Sequence, residues 1–324
     1  MSALAAPARP EADPLPWRRM AWVTWRQHRA ALGAVAGFLG AAAVYLWLTG
    51  LQMHHAEAAY CHPASSIACS INFTGKYGET AILVSIALQA VPALIGAFVG
   101  APVLARELEI GTYRYAWTQG IGRLRWTVGK LVPLAVAVTA AAGAFTALFS
   151  WYNQPFVAAG YAIPFSARVF GLLGIAFAAW TLTAFAIGVL AGMVIRRAVP
   201  AIAAALAVYA GLAFTTGLWL REHYITPLVT SSPKTPGSVW IVSGWYTKGG
   251  TFAFADQGNG IASALTRLCG AVRPRVLHAP GRVAHVLDGQ QCLAQHGYTL
   301  WTSYQPGRRF WPFQWIEEIG RAHV

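Results

Sequence analysis

The chain has 324 residues, of which 56% are hydrophobic and 11% charged, and its formal charge is +13 at pH 7. Soluble domains carry about 25% charged and about 45–50% apolar residues, so charges this sparse exclude a soluble globular protein of this size. Abundant Leu, Ile, Val, Phe and Trp with little net charge per residue exclude intrinsic disorder. A polytopic membrane protein remains.

Crossing roughly 30 Å of hydrocarbon takes about 20 mostly apolar residues in a helix. In chain order, residues 1–29 form a basic leader segment, and five charge-free stretches of sufficient length follow at 30–50, 80–105, 131–151, 169–195 and 198–220. The first apolar run is as long as a full span and lacks a cleavage pattern after it, which argues against a secretory signal. None of the five contains Asp, Glu, Lys or Arg, so the usual pointer to a proton or ion pathway is missing. Gly33/Gly37, Gly96/Gly100 and Gly188/Gly192 place small residues four apart on spans one, two and four, and we read them as helix-packing faces. Only Arg196 and Arg197 separate the fourth and fifth stretches, which predicts a tight helical hairpin. Beyond it, residues 221–309 have mixed character: 238–246 suggest a strand, Gly249-Gly250 a turn, and 261–268 a short helix running into Cys269. Trp311, Phe313 and Trp315 in the segment 310–318 form an aromatic belt of the kind that precedes entry into a bilayer. The expected fold is thus an all-α polytopic membrane protein with five transmembrane helices and a small mixed α/β extracytoplasmic cap.

Basic residues in short loops set the orientation. Twelve of the 24 Lys and Arg precede the first span, lie between the second and third, or form the hairpin turn, whereas the two short loops opposite hold only Lys76 and Arg168. The N-terminus is therefore expected in the cytoplasm, with the region after the fifth span beginning outside. All four cysteines then fall on the oxidising side, Cys61 and Cys69 in the first outer loop and Cys269 and Cys292 in the outer tail. This predicts the local disulfides Cys61–Cys69 and Cys269–Cys292, with four unpaired thiols as the alternative.

Enzymatic chemistry finds little support. Gly75-Lys76 and Gly129-Lys130 are the only Gly-Lys pairs, and neither has the earlier glycine or the following Ser/Thr of a phosphate-cradling loop. His54, His55 and His62 near Glu57 and Cys61 match no zinc spacing, so a solvated, loop-borne cluster is expected. No catalytic residues and no metal ligands are assigned. A pI near 10 suggests nucleic acid, but the short-loop basic residues face a membrane surface instead.

The loop after the second span runs Arg106-Glu107-Leu108-Glu109-Ile110-Gly111-Thr112 and continues through Trp117 to Arg123. Gly111-Thr112 can end one helix and cap the next. Two readings stay level on physics alone. One is a surface that contacts something in the cytosol; the other is a solvated connector anchored at the headgroups by Trp and Arg.

At this loop the sequence resembles the ABC-2-type permeases, the membrane subunits of ATP-binding-cassette exporters. Arg106-Glu107-x-Glu109-x-Gly111-Thr112, with Arg123 and Lys130 downstream, looks like that family's cytoplasmic loop. Trp25-Arg26-Gln27-His28-Arg29, Ala116-Trp117-Thr118-Gln119 and the run from Arg309 to Glu317 look like signatures of its actinobacterial branch. The resemblance implies a plasma-membrane permease that works with a separate ATPase subunit and a second permease. ATP and Mg would be bound by that ATPase, with no cofactor in this chain. It further implies that Arg106, Glu107, Glu109, Gly111, Thr112 and Arg123 belong to the region that docks on the ATPase, with the two glutamates transmitting force. The run 17–29 would lie along the inner interface, anchored by Trp17, Trp22, Trp25 and Arg26, and Trp311 and Trp315 would anchor the far end. The family pattern has six spans and only five are found. Residues 319–324 read in one frame as ATC GGA AGA GCA CAC GTC, resembling a sequencing adapter. They are set aside as an artefact, and the gene is expected to continue into a sixth span. The rival reading is a non-transporting scaffold or sensory subunit that binds a cytosolic partner.

Overall fold

The computed structural model describes residues 17–60, 67–111, 123–158, 164–166, 169–231, 239–269 and 282–322. Helix α1 spans Trp17–Tyr60, α2 Ile67–Gln89, α3 Val91–Ile95, α4 Ala101–Ile110 and α5 Arg123–Ala158. The hairpin consists of α6, Ala176–Ile195, and α7, Ala198–Thr215, and a short α8, Arg221–His223, follows it. The strands are β1 Leu228–Thr230, β2 Val239–Lys248, β3 Thr251–Ala255 and β4 Tyr298–Pro306; α9 Asn259–Leu268 and α10 Arg282–Gln295 lie between β3 and β4, and α11 Phe310–Ala322 comes last. Five helical segments are long and apolar enough to cross a membrane: Gly33–Ala59, Phe73–Ile110, Leu124–Ala158, Ala176–Ile195 and Ala198–His223. The protein is an all-α membrane domain with a small C-terminal sheet region.

Four of the expected spans extend further than their apolar stretches. The first is continuous with the segment expected to lie separately on the interface, since α1 has no break between Trp17 and Tyr60. At 1.5 Å per residue such a helix is ~66 Å long, about twice the hydrocarbon thickness. The fourth span starts later than residue 169. A 3-10 turn at Phe170–Leu172 and the left-handed Gly174 (φ 60°) precede it, and the helix begins at Ala176. The statement that no charge lies within a span also needs correction, because Glu107, Lys130 and Arg221 all fall inside the helical segments once their true ends are drawn.

Proline explains where the second span is interrupted. Pro92 lies in the first turn of α3, just after the turn at Ala90. Pro102 has no N–H to offer the carbonyl of residue 98, and the chain widens into a π turn over Gly96–Gly100. The widened turn presents Gly96 and Gly100 to α6. A Cβ on Gly188 would strike the Gly96 carbonyl oxygen, and one on Gly192 the Ala101 carbonyl oxygen. The two glycine pairs on spans two and four are therefore a backbone-to-backbone contact, as their spacing suggested. Gly33 and Gly37 are not: among the described residues nothing comes within 4 Å of either added Cβ.

A second proline-freed carbonyl is satisfied by a side chain. Pro155 lies inside α5, so the carbonyl of Trp151 loses its helical donor. His54 Nε2 lies 3.1 Å from that oxygen, and the imidazole stacks on the Trp151 ring at 4.7 Å. The contact requires the tautomer with hydrogen on Nε2. His54 and His55 therefore belong to α1 and not to a solvated loop, and His54 has a structural task. Around it Leu46, Met53, Phe73, Phe149, Tyr152 and Phe156 form the buried core that joins α1, α2 and α5.

The sheet is antiparallel throughout, in the order β1-β4-β2-β3. Gly249 (φ 59°) and Gly250 (φ 84°) form the two-residue turn between β2 and β3, a backbone shape that suits glycine at both positions. Phe165, Phe170, Phe310 and Phe313 cluster with Trp240 and tie the sheet to the segment that precedes α6. The Cys269–Cys292 disulfide is formed; the pairing of Cys61 with Cys69 lies outside the described residues.

Gly188→Leu should force spans two and four apart, at a cost of about 1–3 kcal/mol from overpacking. Thermal unfolding in detergent should show a lowered midpoint, whereas Gly211→Ala, in open space, should leave it unchanged. His54→Phe keeps a ring on Trp151 but removes the donor, and should destabilise by about 1–3 kcal/mol. His54→Gln restores an N–H and should recover part of that loss in the same assay.

Candidate functional site

The charge run at the end of span two falls within the described residues as far as Gly111. Gly111 (φ 80°) closes α4 in the left-handed conformation, its N–H returning to the Glu107 carbonyl. Upstream of it both acidic side chains bond to other helices of the chain. Glu107 accepts a hydrogen bond and ion pair from Lys130 of α5, with side-chain exposures of 15% and 4%. Lys130 Nζ also sits 5.4 Å from the centre of the Trp126 ring.

Glu109 contacts the hairpin. Its Oε2 accepts a hydrogen bond of 3.1 Å from the backbone N–H of Ala198, the first residue of α7. The residue before, Arg197, is extended and supplies no side-chain cap of its own. A carboxylate from α4 therefore does the work of an N-cap and meets the positive end of the helix dipole. On the other side of the turn, Arg196 ends α6 at φ 57°, the only non-glycine residue with positive φ among the described residues. The motif thus fastens span two to spans three and five.

Arg106 is exposed and lines a cleft of about 500 Å³ between α1 and the second span, together with Phe38, Leu94 and Phe98. Thr112 and the loop to residue 122 lie outside the described residues, as does the side chain of Arg123. Trp22 is exposed with the Arg26 guanidinium 5.4 Å from its ring centre; the side chains of Trp17 and Trp25 are outside the described residues.

A second polar cluster, at the other end of the spans, was not anticipated. Glu317 of α11 is fully buried and bonded to Arg221, with Oε2 to Nε at 3.1 Å and Oε1 to Nη2 at 3.3 Å. Trp180 Nε1 donates to the same carboxylate at 2.9 Å, and the guanidinium lies 4.3 Å above the Phe170 ring. One turn earlier, Gln314 Oε1 accepts from the N–H of Ala176 at 2.9 Å and Nε2 donates to the Phe170 carbonyl. The segment 310–318 is thus a helix docked on α6. Trp311 and Trp315 are exposed, while Phe313 and Glu317 face inward. The signal available was a lone Arg immediately after span five and a Glu-Glu pair, Glu317-Glu318, after a run of aromatics. Nothing in their spacing joined them.

Among the described residues no three His, Cys, Asp or Glu side chains gather to hold a metal ion. The polar geometry of both clusters is that of helix fastening.

Glu107→Ala should leave Lys130 buried without a counter-charge, at a cost of about 3–5 kcal/mol. The double variant Glu107→Ala/Lys130→Met should recover most of that stability. Unfolding midpoints of these two proteins, of Lys130→Met alone and of the wild type in one detergent test the coupling.

Comparison with known proteins agrees with this architecture. No curated protein and no solved structure matches the chain. A protein-family model, ABC-2 membrane transporter related, matches residues 36–221. That region covers three of the five apolar helical segments whole and most of the first and fifth, includes the Glu107–Lys130 pair and Arg221, and is more than half of the sequence. The chain is a multi-pass membrane protein of the ABC-2 membrane transporter related family.

Proposed function

We propose that this chain is the permease subunit of an exporter, moving its substrate outward across a bacterial plasma membrane at the expense of ATP hydrolysed by a separate ATPase. The observation that carries the reading is the placement of Glu109. An acid at the tip of span two caps span five, so a push on the tip is delivered directly to the hairpin. Glu107 extends the same linkage to span three. The charge bias of the short loops supports a cytoplasmic N-terminus, which puts this tip where a cytosolic motor can reach it. The loop from Arg106 to Arg123 is the docking element, with Arg106 exposed beside it. ATP and Mg belong to the partner, and a second permease subunit completes the pathway.

The test is transport in proteoliposomes containing the chain and its cognate ATPase. Glu109→Ala should lower transport per ATP hydrolysed by about tenfold, equivalent to ~1.4 kcal/mol of lost coupling. Glu109→Gln keeps an acceptor for the Ala198 N–H and should lose less. Unchanged transport in Glu109→Ala with normal folding would remove the coupling role.

A further inference from the structure

The sheet region contains a cavity of about 390 Å³ that lies apart from the polar clusters at the span ends. Its size is within the range of small-molecule sites, about 300–1,000 Å³. One wall comes from α9 through Ile261 and Leu265, and the opposite wall from α10 through Gln290 and Leu293. Tyr246 of β2 and Asp256, just past the end of β3, complete the lining. The position of Asp256 is fixed by its backbone: its N–H donates to the Gly244 carbonyl at 2.8 Å, continuing the β2–β3 ladder by one residue. Tyr246 and Asp256 therefore lie diagonally on one face of the sheet.

The chemistry of the lining is lopsided. Three aliphatic side chains and an aromatic ring surround a single charged group. Among the described residues Asp256 has no ion pair. The cation on β2, Lys248, sits 4.8 Å from the ring centre of Tyr298, and Arg267 on α9 is exposed. The Tyr246 hydroxyl is buried and has no hydrogen-bond partner among the described residues, while the residue as a whole is 2% exposed. Burial pushes the Asp256 carboxyl above its ordinary range. Burial, and then the charge of Asp256, push the Tyr246 phenol up to about 12. Both groups are thus poorly compensated as they stand. A half-buried carboxylate in apolar surroundings is stabilised by a counter-charge brought to it. One carboxylate is too few for a divalent metal, which takes several oxygen ligands.

We propose that this cavity is a binding site for a small organic monocation, an ammonium head paired with Asp256 and an apolar body held between α9 and α10. Tyr246 supplies an aromatic wall to which a cation is attracted. The disulfide belongs to the same site. Cys269 follows α9 one turn after Leu265, and Cys292 adjoins Leu293 on α10, so the bond ties together the two helices that form the walls. The proposal is independent of the coupling role of Glu109.

The probe is 2-phenylethylammonium chloride, titrated calorimetrically into the intact chain in nanodiscs, with protein-free nanodiscs subtracted. Its neutral counterpart, 2-phenylethanol, is titrated in parallel. Saturable binding of the amine at least tenfold tighter than of the alcohol is expected. Asp256→Asn should remove that preference, and Leu265→Trp should abolish binding of both by filling the cavity. Reduction of the disulfide should weaken the amine at least tenfold. Equal affinity for amine and alcohol, no saturable binding, or an unchanged preference in Asp256→Asn would each overturn the assignment. The wild-type comparison decides the matter even if a variant fails to fold.

Discussion

The close approach of Gly188 to the Gly96 carbonyl is the constraint from which the membrane domain is built. Lipid offers helices no hydrophobic drive toward each other, so association depends on tight packing and on polar groups that find partners. Small residues on both sides let the second and fourth spans touch backbone to backbone. This proximity brings the end of α4 beside the hairpin turn, where Glu109 can reach the first N–H of α7. A side chain at Gly188 or Gly192 would move the turn away from its cap. Packing in the middle of the bundle and polar bonding at its end are thus one arrangement.

The same economy governs the interrupted helices. Each proline frees a carbonyl, and inside a membrane that carbonyl must be satisfied by the protein. At Pro102 the backbone responds by widening into a π turn, which also exposes the glycines needed for packing. At Pro155 a histidine from another helix takes the missing donor's place on Trp151. Two chemically similar breaks are resolved in different ways because their neighbours differ. Span two has a close backbone beside it, while span three has the wide aromatic surface of Trp47, Trp151 and Tyr152.

The number and order of the spans were legible because apolar length is a local property. So were the β2 strand, its Gly-Gly turn and α9, since each signal lies within ten or so adjacent residues. The helix ends were not legible, because a helix continues past the last apolar residue wherever propensity allows. Glu107 and Glu109 stood out as a motif, yet their partners lie 23 and 89 positions away and no spacing rule joins them. Glu317 and Arg221 are 96 positions apart, and each sits just beyond an apolar window. Strand β4 escaped notice for another reason. Gln305 and Ser303 point inward, Gln305 to donate to the Ile225 carbonyl, so the alternation that reveals a strand is masked by polar residues on its buried face.

The hairpin of α6 and α7 is held from outside at both ends, and the two fastenings differ in kind. At the turn, α7 is capped by one carboxylate oxygen on one exposed backbone N–H. At the far end, Ala176 bonds to Gln314, Trp180 to Glu317, and Glu317 to Arg221 in a cluster closed to solvent. Separating a buried ion pair leaves uncompensated charge and costs about 3–5 kcal/mol, whereas a solvated hydrogen bond to a charged group contributes about 1.5–3 kcal/mol and is replaceable by water. Any motion of the hairpin is therefore cheapest about a pivot near Glu317, with the largest displacement at Arg196 and Arg197. The tip of span two holds the hairpin at the weaker of the two fastenings.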